Sequence, residues 1–214
     1  MRRDASNVER RAYFLWKLMK PRKNLTVAVA VLAAGGSSRM GTCKQLILLD
    51  GETLVHRAAR RARRSAAARV LVVVGAEAGG VVDAVSDLRV EIVENRGWVE
   101  GIGSSIAAAA RAIRSDESID AILFTLADQP SITSSMIDRL IAEAQSFSIV
   151  ASAYADGPGV PALFRKVHFD ALAGMGGDRG ARSLIVSDEE AKILSFDREL
   201  DDIDQPEDLD RYLS

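Results

Sequence analysis

Short apolar runs that alternate with alanine-rich stretches constrain the fold of this chain more than any other feature. The runs have the length of buried strands, and the stretches between them carry apolar residues at helical spacing. The runs are 27–34, 69–75, 90–94, 121–127 and 148–154, and the helical stretches are 53–67, 79–85, 104–114 and 133–145. Strand alternating with helix predicts an α/β fold, with a mostly parallel, doubly wound sheet covered on both faces.

The pattern changes after residue 150. Residues 156–164 carry two prolines and two glycines, which predicts a loop or an edge strand. We therefore expect a small antiparallel edge element there, followed by a turn-rich loop at 174–180. A helix over 181–187, a strand over 192–196 and a last helix from Pro206 complete the prediction. Thr53 and Thr133 are the expected N-caps of two helices.

Composition excludes several classes of site. The 214 residues include one cysteine and two histidines, so a disulfide framework and a Cys/His zinc cage are ruled out. A metal would have to be a hard ion held by oxygen, such as Mg²⁺. The net charge of −2 and the 5% aromatic content argue against nucleic acid as a partner.

Charge is unevenly distributed along the chain. Residues 1–25 carry eight Lys/Arg against two acids, and residues 188–214 carry eleven acids against three bases. The apolar run in the first segment, 12–19, is too short to span a membrane, and no signal-peptide pattern follows it. We expect 1–25 to be a basic, flexible or loosely docked extension, or an amphipathic docking helix, and 26–214 to be one cytoplasmic domain.

A glycine-rich segment follows the first predicted strand. Gly35 and Gly36 begin it, Gly41 closes it, and Arg39 and Lys44 add positive charge. Glycines let the backbone turn tightly and present N–H groups to an anion, which suits a triphosphate. The spacing is neither a Walker A loop nor a dinucleotide fingerprint, and a simple strand-exit turn is the alternative.

A carboxylate follows the fourth long strand. Asp128 comes directly after the apolar run and is followed by Gln129 and Pro130. Ligands of doubly wound sheets bind beyond the carboxyl ends of the strands, so Asp128 is placed to hold Mg²⁺ opposite the glycine-rich segment. The alternative is that Asp128 caps the next turn.

Five ordered segments resemble the MobA-like nucleotidyltransferases, with closest similarity to the molybdenum cofactor cytidylyltransferase branch. The resemblance covers 26–214, and Ala127 stands where many relatives have glycine. The segments are LAAGGSSRMGTCKQLILLDGETLVH (32–56), NRGWVEGIGSS (95–105), TLADQP (125–130), GPGVPALF with GDRGAR (157–182) and DIDQPEDL (202–209).

The resemblance implies a single-domain, Rossmann-like sheet of the nucleotidyltransferase type and an Mg²⁺-dependent enzyme. Such an enzyme would transfer CMP from CTP to the phosphate of a molybdopterin-type acceptor and release pyrophosphate. Expected partners are the NTP and the acceptor, together with a molybdoenzyme or its chaperone, and neither nucleic acid nor a membrane span. The alternatives are a guanylyl- or sugar-phosphate nucleotidyltransferase and a non-catalytic pterin carrier or insertion chaperone. The Leu-Ala-Ala-Gly form at 32–35 favours CTP over GTP.

The resemblance also implies roles for individual residues. Arg39, Lys44 and Asp128 are the expected catalytic residues, and Asp202 or Asp204 would be the second metal ligand unless both cap the last helix. The expected nucleotide-binding residues are Leu32, Ala33, Ala34, Gly35, Gly36, Ser37, Ser38, Gly41, Gly75, Ala76, Gly101, Gly103, Ser104 and Ser105. The expected acceptor-binding residues are Gln129, Pro161, Asp178, Arg179 and Arg182.

Several of these residues have a purely structural alternative. Ser104 could serve as a helix N-cap, and Arg182 could form a buried pair with Asp178. The arginines of the first helix, including Arg57, Arg60 and Arg61, are expected to form a solvated basic face. Cys43 has no neighbouring base and is not expected to act as a nucleophile, and Trp98 is expected to cover the base pocket.

Overall fold

The described part of the chain is built around a seven-stranded sheet. This computed structural model describes residues 24–36, 43–178, 180–197, 200, 202–203, 208 and 212. The strands are β1 (Val27–Ala33), β2 (Leu48–Leu49), β3 (Glu52–Thr53), β4 (Arg69–Val74), β5 (Glu91–Glu94), β6 (Ala121–Leu126), β7 (Ile149–Tyr154), β8 (Gly157–Arg165) and β9 (Lys192–Leu194). The α-helices are α1 (Leu54–Arg63), α2 (Ala78–Ala84), α3 (Ile102–Ile113), α4 (Ser134–Glu143), α5 (Phe169–Ala173) and α6 (Arg182–Ser187).

The strand order of the large sheet is β5-β4-β1-β6-β8-β7-β9. The pairs β5/β4, β4/β1 and β1/β6 are parallel, whereas β8 is antiparallel to both β6 and β7. The predicted mostly parallel α/β fold is therefore confirmed, with its antiparallel part after residue 150. Because β1, β4, β5 and β6 run in one direction, their carboxyl ends meet at the same edge of the sheet.

Side-chain alternation along β1 divides the core into two layers. Val27, Val29 and Val31 pack with α1, α2 and α4 on one face. Ala28 and Ala30 pack with α3 and α5 on the other face. All five residues are fully buried, which is why β1 reads as a continuous apolar run.

Two helices begin as predicted. The hydroxyl oxygen of Thr53 accepts a 3.3 Å hydrogen bond from the His56 backbone N–H, and that of Thr133 accepts one of 3.3 Å from Met136. Each cap satisfies one of the N–H groups that a helix start leaves unpaired. Ser104 is not a cap, because α3 begins at Ile102 and Ser104 lies inside its first turn.

The segment after residue 156 differs from its prediction. It forms β8, an internal strand paired with β6 on one side and with β7 on the other. The prolines are tolerated because β6 pairs only with Ala162–Arg165, so Pro158 and Pro161 lie beyond it. Neither proline therefore has to donate a hydrogen bond to β6.

The two-stranded sheet of β2 and β3 and the short helix α5 were not predicted from the sequence. Residues 1–23 of the predicted extension and the start of the predicted last helix at Pro206 lie outside the described residues. No helix in the described ranges is long and apolar enough to cross a membrane.

Candidate active site

A cleft of about 440 Å³ lies at the carboxyl edge of the parallel strands. Its walls come from the ends of β1 and β6, the turn before α3, and the loop before α6. The lining residues are Leu32, Ala34, Gly35, Gly36, Gln45, Trp98, Val99, Gly101, Ile102, Ser105, Leu126, Ala127, Asp128 and Asp178. Eight of the predicted site residues lie in this set, so the structure brings the end of β1 and Asp128 together.

The end of β1 forms the floor of the cleft. Leu32 and Ala34 face the cleft, whereas the alternation of the strand turns Ala33 into the opposite layer, where it is buried. Any contribution of Ala33 to a ligand therefore comes from its backbone. The predicted site residues Ser37, Ser38, Arg39 and Gly41 lie outside the described residues.

A short 3-10 helix, Lys44–Leu46, returns the chain to the cleft. The Gln45 side chain is buried and donates a 3.1 Å hydrogen bond from Nε2 to the Gly35 carbonyl. Cys43 donates from Sγ to Gln45 Oε1 over 2.9 Å. Burial raises the pKa of the Cys43 thiol, which supports the expectation that it is not a nucleophile. Lys44 is thereby tied to the turn after β1.

The indole of Trp98 packs across two predicted nucleotide-binding glycines. A methyl group on Gly36 would lie 2.7 Å from the Trp98 ring, and one on Gly75 would lie 2.7 Å from Trp98 Cβ. Ala76 donates its backbone N–H to the Ala34 carbonyl over 3.1 Å, which holds the end of β4 against the end of β1. Gly36 and Gly75, which follow β1 and β4, thus carry no side chain because Trp98 lies where one would stand.

The turn into α3 requires glycine. Gly101 has a φ of 103°, which L side chains rarely adopt, and the Asp178 carboxylate lies directly beside its Cα. Gly103 donates its N–H to the Gly177 carbonyl over 2.9 Å and has no room for a methyl group. These contacts hold Asp178 on the wall of the cleft. Arg179 lies outside the described residues.

A buried polar network stiffens the same turn. Asn95 donates from Nδ2 to the hydroxyls of Ser104 (2.8 Å) and Ser105 (3.0 Å), and its Oδ1 accepts the Gly97 N–H over 3.0 Å. Ser105 lines the cleft, whereas Ser104 lines a neighbouring cavity of about 470 Å³. Asn95 is not among the residues predicted for the site, although it follows a predicted strand directly.

Two of the three predicted metal ligands lie in one place. The Ile203 backbone N–H donates to the Asp128 carbonyl over 2.9 Å, which brings Asp202 next to the end of β6. Asp204 lies outside the described residues. Within the described ranges, no group of three or more His, Cys, Asp or Glu side chains could hold a metal ion.

These residues fit a hard cation. Mg²⁺ is usually held by one or two carboxylates, with substrate phosphates and water as its remaining ligands. Asp128 and Asp202 supply that number of carboxylates. The buried Oε1 of Gln129, which has no hydrogen-bond partner in the described part of the chain, adds an orphaned oxygen to the same region.

The predicted acceptor residues are dispersed. Arg182 does not pair with Asp178, because its guanidinium forms a 2.7 Å ion pair with Asp156 at the β7–β8 turn and also donates to the Asp156 carbonyl. The Pro161 carbonyl accepts a 2.8 Å hydrogen bond from Ser152 inside the sheet. Asp178 alone of these three lines the cleft.

Arg60 and Arg61 of helix α1 do not lie on the solvated basic face that the sequence predicts. Arg60 forms a bidentate pair with Glu52, and both of its hydrogen bonds are 2.7 Å long. Arg61 donates to the carbonyls of Pro130 and Ile132 over 2.5 and 2.6 Å. Arg61 thus anchors the segment that follows Asp128.

The family model described as the MobA-like NTP transferase domain matches residues 29–192. The purine catabolism protein PucB of Bacillus subtilis is 32% identical over 195 residues, which is 84% of this chain and 92% of PucB. Nicotine blue oxidoreductase of Paenarthrobacter nicotinovorans is 32% identical over 165 residues, covering 73% and 79% of the two chains.

Solved structures share the fold. Rv0371c from Mycobacterium tuberculosis H37Rv superposes with a TM-score of 0.77 at 27% identity, covering 89% of this chain and 99% of that one. Its complex with manganese gives a TM-score of 0.72 at 26% identity, with coverage of 88% and 98%. A nucleotidyl transferase from Methanothermobacter gives 0.75 at 25% identity, with coverage of 87% and 95%.

Proposed function

Because the chain belongs to the MobA-like NTP transferase family and is a nucleotidyltransferase, we propose that it transfers CMP from CTP to a molybdopterin-type acceptor with Mg²⁺ as cofactor. One observation carries the proposal. The glycine turn after β1 and the carboxylate after β6 line the same cleft, at the carboxyl edge of the parallel strands. A turn of this kind suits a triphosphate and a carboxylate suits a hard cation.

The triphosphate would lie along the turn after β1. Gly35 and Gly36 leave the backbone open to a polyanion, and Lys44 stands at the start of the short helix that Gln45 ties to this turn. Together with Arg39, Lys44 would neutralise the triphosphate and the charge that develops on the departing pyrophosphate.

Asp128 and Asp202 would hold the cation. Bound Mg²⁺ supplies a Lewis acid that stabilises negative charge on phosphate oxygens. The protein's part is to fix the two carboxylates. The Ile203–Asp128 backbone hydrogen bond joins their segments, and Arg61 fixes the backbone immediately after Asp128.

The reaction is a phosphoryl displacement. A phosphate oxygen of the acceptor attacks the α-phosphorus of CTP, and a new P–O bond forms. The bond from the α-phosphorus to the bridging oxygen breaks, and that oxygen leaves with its electron pair as part of pyrophosphate. The site has two polyanions to align, so positioning and charge neutralisation account for most of the catalysis.

The preference for CTP rests on the Leu-Ala-Ala-Gly form at 32–35. The cleft offers a base the ring of Trp98, the hydroxyl of Ser105 and the carboxylate of Asp178. A carboxylate and hydroxyl can accept the amino hydrogens of cytosine. We further propose that the protein is a soluble, cytoplasmic enzyme that acts on the free acceptor.

The test measures pyrophosphate release with each of the four NTPs, Mg²⁺ and molybdopterin. We expect turnover with CTP and a higher melting temperature in its presence, because a ligand that binds the native state stabilises it. Exclusive activity with GTP would identify a guanylyltransferase. Activity only with sugar phosphates would contradict the proposed molybdopterin-type acceptor. Pterin binding without turnover would indicate a carrier.

Two variants test the residue roles. We expect Asp128→Asn and Lys44→Ala each to lower kcat by about 10²- to 10³-fold without unfolding the protein. The matched control for Asp128→Asn is Asp83→Asn, on the exposed side of α2. The matched control for Lys44→Ala is Lys166→Ala, which lies near the start of β6, at the edge of the sheet opposite the cleft. Full activity in folded Asp128→Asn would contradict the proposed metal site.

A further inference from the structure

We infer that Gln129 and Tyr154 are positioning residues that orient the Asp202 carboxylate for the cation of the proposed site. The inference rests on the proposed function, because it concerns the same metal site. It gives Gln129 a role different from the acceptor contact predicted from the sequence.

The Gln129 amide joins two elements that are distant in sequence. Its Nε2 donates to Tyr154 Oη over 2.9 Å and to Asp202 Oδ1 over 2.8 Å, and the Val160 carbonyl lies 3.5 Å away. A primary amide has two N–H protons, and these two shorter contacts use both of them. Gln129 is only 3% exposed, so it is poorly placed to contact a substrate directly.

Tyr154 fixes which way the amide faces. Its hydroxyl donates to the Val160 carbonyl, so its oxygen is left to accept from Gln129. Burial raises the pKa of Tyr154, and the negative charge of Asp202 raises it further. The phenol therefore keeps its proton and donates it to the Val160 carbonyl. As a result, the Gln129 amide is the donor in its hydrogen bond to the phenol oxygen.

The opposite amide orientation is unfavourable. Exchanging Nε2 and Oε1 would set the amide oxygen against the Asp202 carboxylate and the Val160 carbonyl, neither of which can donate. In the orientation present, Gln129 Oε1 is buried without a partner among the described residues. An unsatisfied buried oxygen costs about 1–3 kcal/mol. The arrangement is kept although the amide is incompletely satisfied, which favours a positioning role over a purely stabilising one.

The backbone beside Asp202 is held independently. Ile203 is fully buried with Leu49 and Leu54, and its N–H donates to the Asp128 carbonyl over 2.9 Å. The chain on the carboxyl side of Asp202 is thus fixed by packing, and the side chain of Asp202 is fixed by Gln129. Hydrogen bonds to a ligating carboxylate orient it for the metal.

The experiment measures the affinity of the full-length protein for Mn²⁺ alone, by electron paramagnetic resonance of the free ion. Gln129→Met keeps the length of the side chain and removes both N–H donors. We expect it to lower the Mn²⁺ affinity at least about tenfold, as removal of such supporting partners does in other metal sites. Tyr154→Phe should lower the Mn²⁺ affinity by a smaller factor, and the control Gln145→Met, two residues beyond the end of α4, should leave it unchanged.

A double-mutant cycle separates positioning from general damage. If Gln129 acts through Asp202, then Gln129→Met should change the Mn²⁺ affinity of Asp202→Ala by less than about twofold. An equal loss in both backgrounds, or no loss in folded Gln129→Met, would overturn the inference. Should Gln129→Met fail to fold, Tyr154→Phe and its combination with Asp202→Ala are judged by the same two criteria.

Asp128→Asn distinguishes this inference from the proposed function. If Asp128→Asn abolishes Mn²⁺ binding and nucleotidyl transfer while Gln129→Met binds Mn²⁺ like the wild type, the positioning role alone is overturned. If Asp128→Asn and Asp202→Ala both bind Mn²⁺ like the wild type, the proposed metal site itself is contradicted, and the role of Gln129 is overturned with it.

Discussion

Trp98 lies so close to Gly75 that a methyl group on the Gly75 Cα would sit 2.7 Å from Trp98 Cβ and 2.8 Å from Cγ. The Ala34 carbonyl would be equally close at 2.7 Å. The position directly after β4, Gly75, can therefore carry no side chain while the indole keeps its place on the cleft wall. The shape of the cleft thus depends on a contact between residues that follow two different strands.

Gly75→Ala should displace Trp98 or the backbone of Ala34. We expect it to lower the free energy of unfolding by about 1–3 kcal/mol, as overpacking usually does, and to weaken CTP binding. Denaturant unfolding and nucleotide titration measure the two effects. Gly79→Ala is the matched control, because a methyl group there meets nothing within 4 Å and alanine favours the helix. Equal stability of the two variants would contradict the steric role of Gly75.

Arg61→Met should loosen the segment that follows Asp128. It leaves the carbonyls of Pro130 and Ile132 without their donor, which should cost about 1–3 kcal/mol of stability. Because this segment follows a proposed metal ligand, we also expect a lower kcat. Arg64→Met, on the exposed end of the same helix, is the control for removing one guanidinium. A kcat equal to that of the control would show that Arg61 has no effect on the site.

Glu52 makes stability depend on acid pH. The bidentate hydrogen bonds from Arg60 lower its pKa from 4.5 to about 2, although burial opposes the shift and the hydrogen bond to His56 adds to it. A depressed folded-state pKa contributes stability above pH 4.5, and this contribution is lost as the pH falls towards 2. The difference between wild type and Glu52→Gln should be on the order of 2 kcal/mol at pH 6 and should shrink towards pH 2.

Unfolding curves from pH 2 to 7 test this prediction. Glu117→Gln removes one carboxyl from an exposed position and provides the baseline. A wild-type advantage over Glu52→Gln that stays constant through the acid range would show that the Arg60 pair does not shift the titration of Glu52.

The two histidines should titrate on opposite sides of 6.5. For His56, burial favours the neutral ring, but the hydrogen bonds to Glu52 and Asp87 prevail and raise its pKa. For His168, burial lowers the pKa, and Asp188 opposes this only in part. Protonated His56 therefore stabilises the fold, and this contribution is lost as the pH rises through its folded-state pKa. His168 has the opposite effect, because its lowered pKa means that the folded state loses stability as the pH falls and the ring must be protonated.

Proton NMR across pH 5 to 9 resolves the two rings, since the chain has no other histidine. His168→Gln assigns the signals by removing one of them. We expect the remaining signal, that of His56, to have the higher midpoint. A reversed order would contradict the pairing of His56 with the two carboxylates.

Local signals were enough to predict the parallel part of the fold. Val27–Ala33 is buried on both faces, so its composition shows a central strand without knowledge of its neighbours. Thr53 and Thr133 satisfy N–H groups within their own helices, so their roles depend on residues only three positions away. Asp128 could be placed near the glycine turn because parallel strands bring their carboxyl ends to one edge.

Contacts between distant segments could not be predicted in this way. The prolines of β8 indicated an edge, because the sequence does not show that β6 stops pairing before Pro161. Arg61 is indistinguishable in sequence from the other arginines of α1, yet it bonds residues about seventy positions away. The Gln129 amide donates a hydrogen bond to the Asp202 carboxylate, which lies 73 positions further along the chain. Such partners are set by how the elements pack, because a hydrogen bond needs its two atoms within about 3 Å and sequence spacing does not encode that distance.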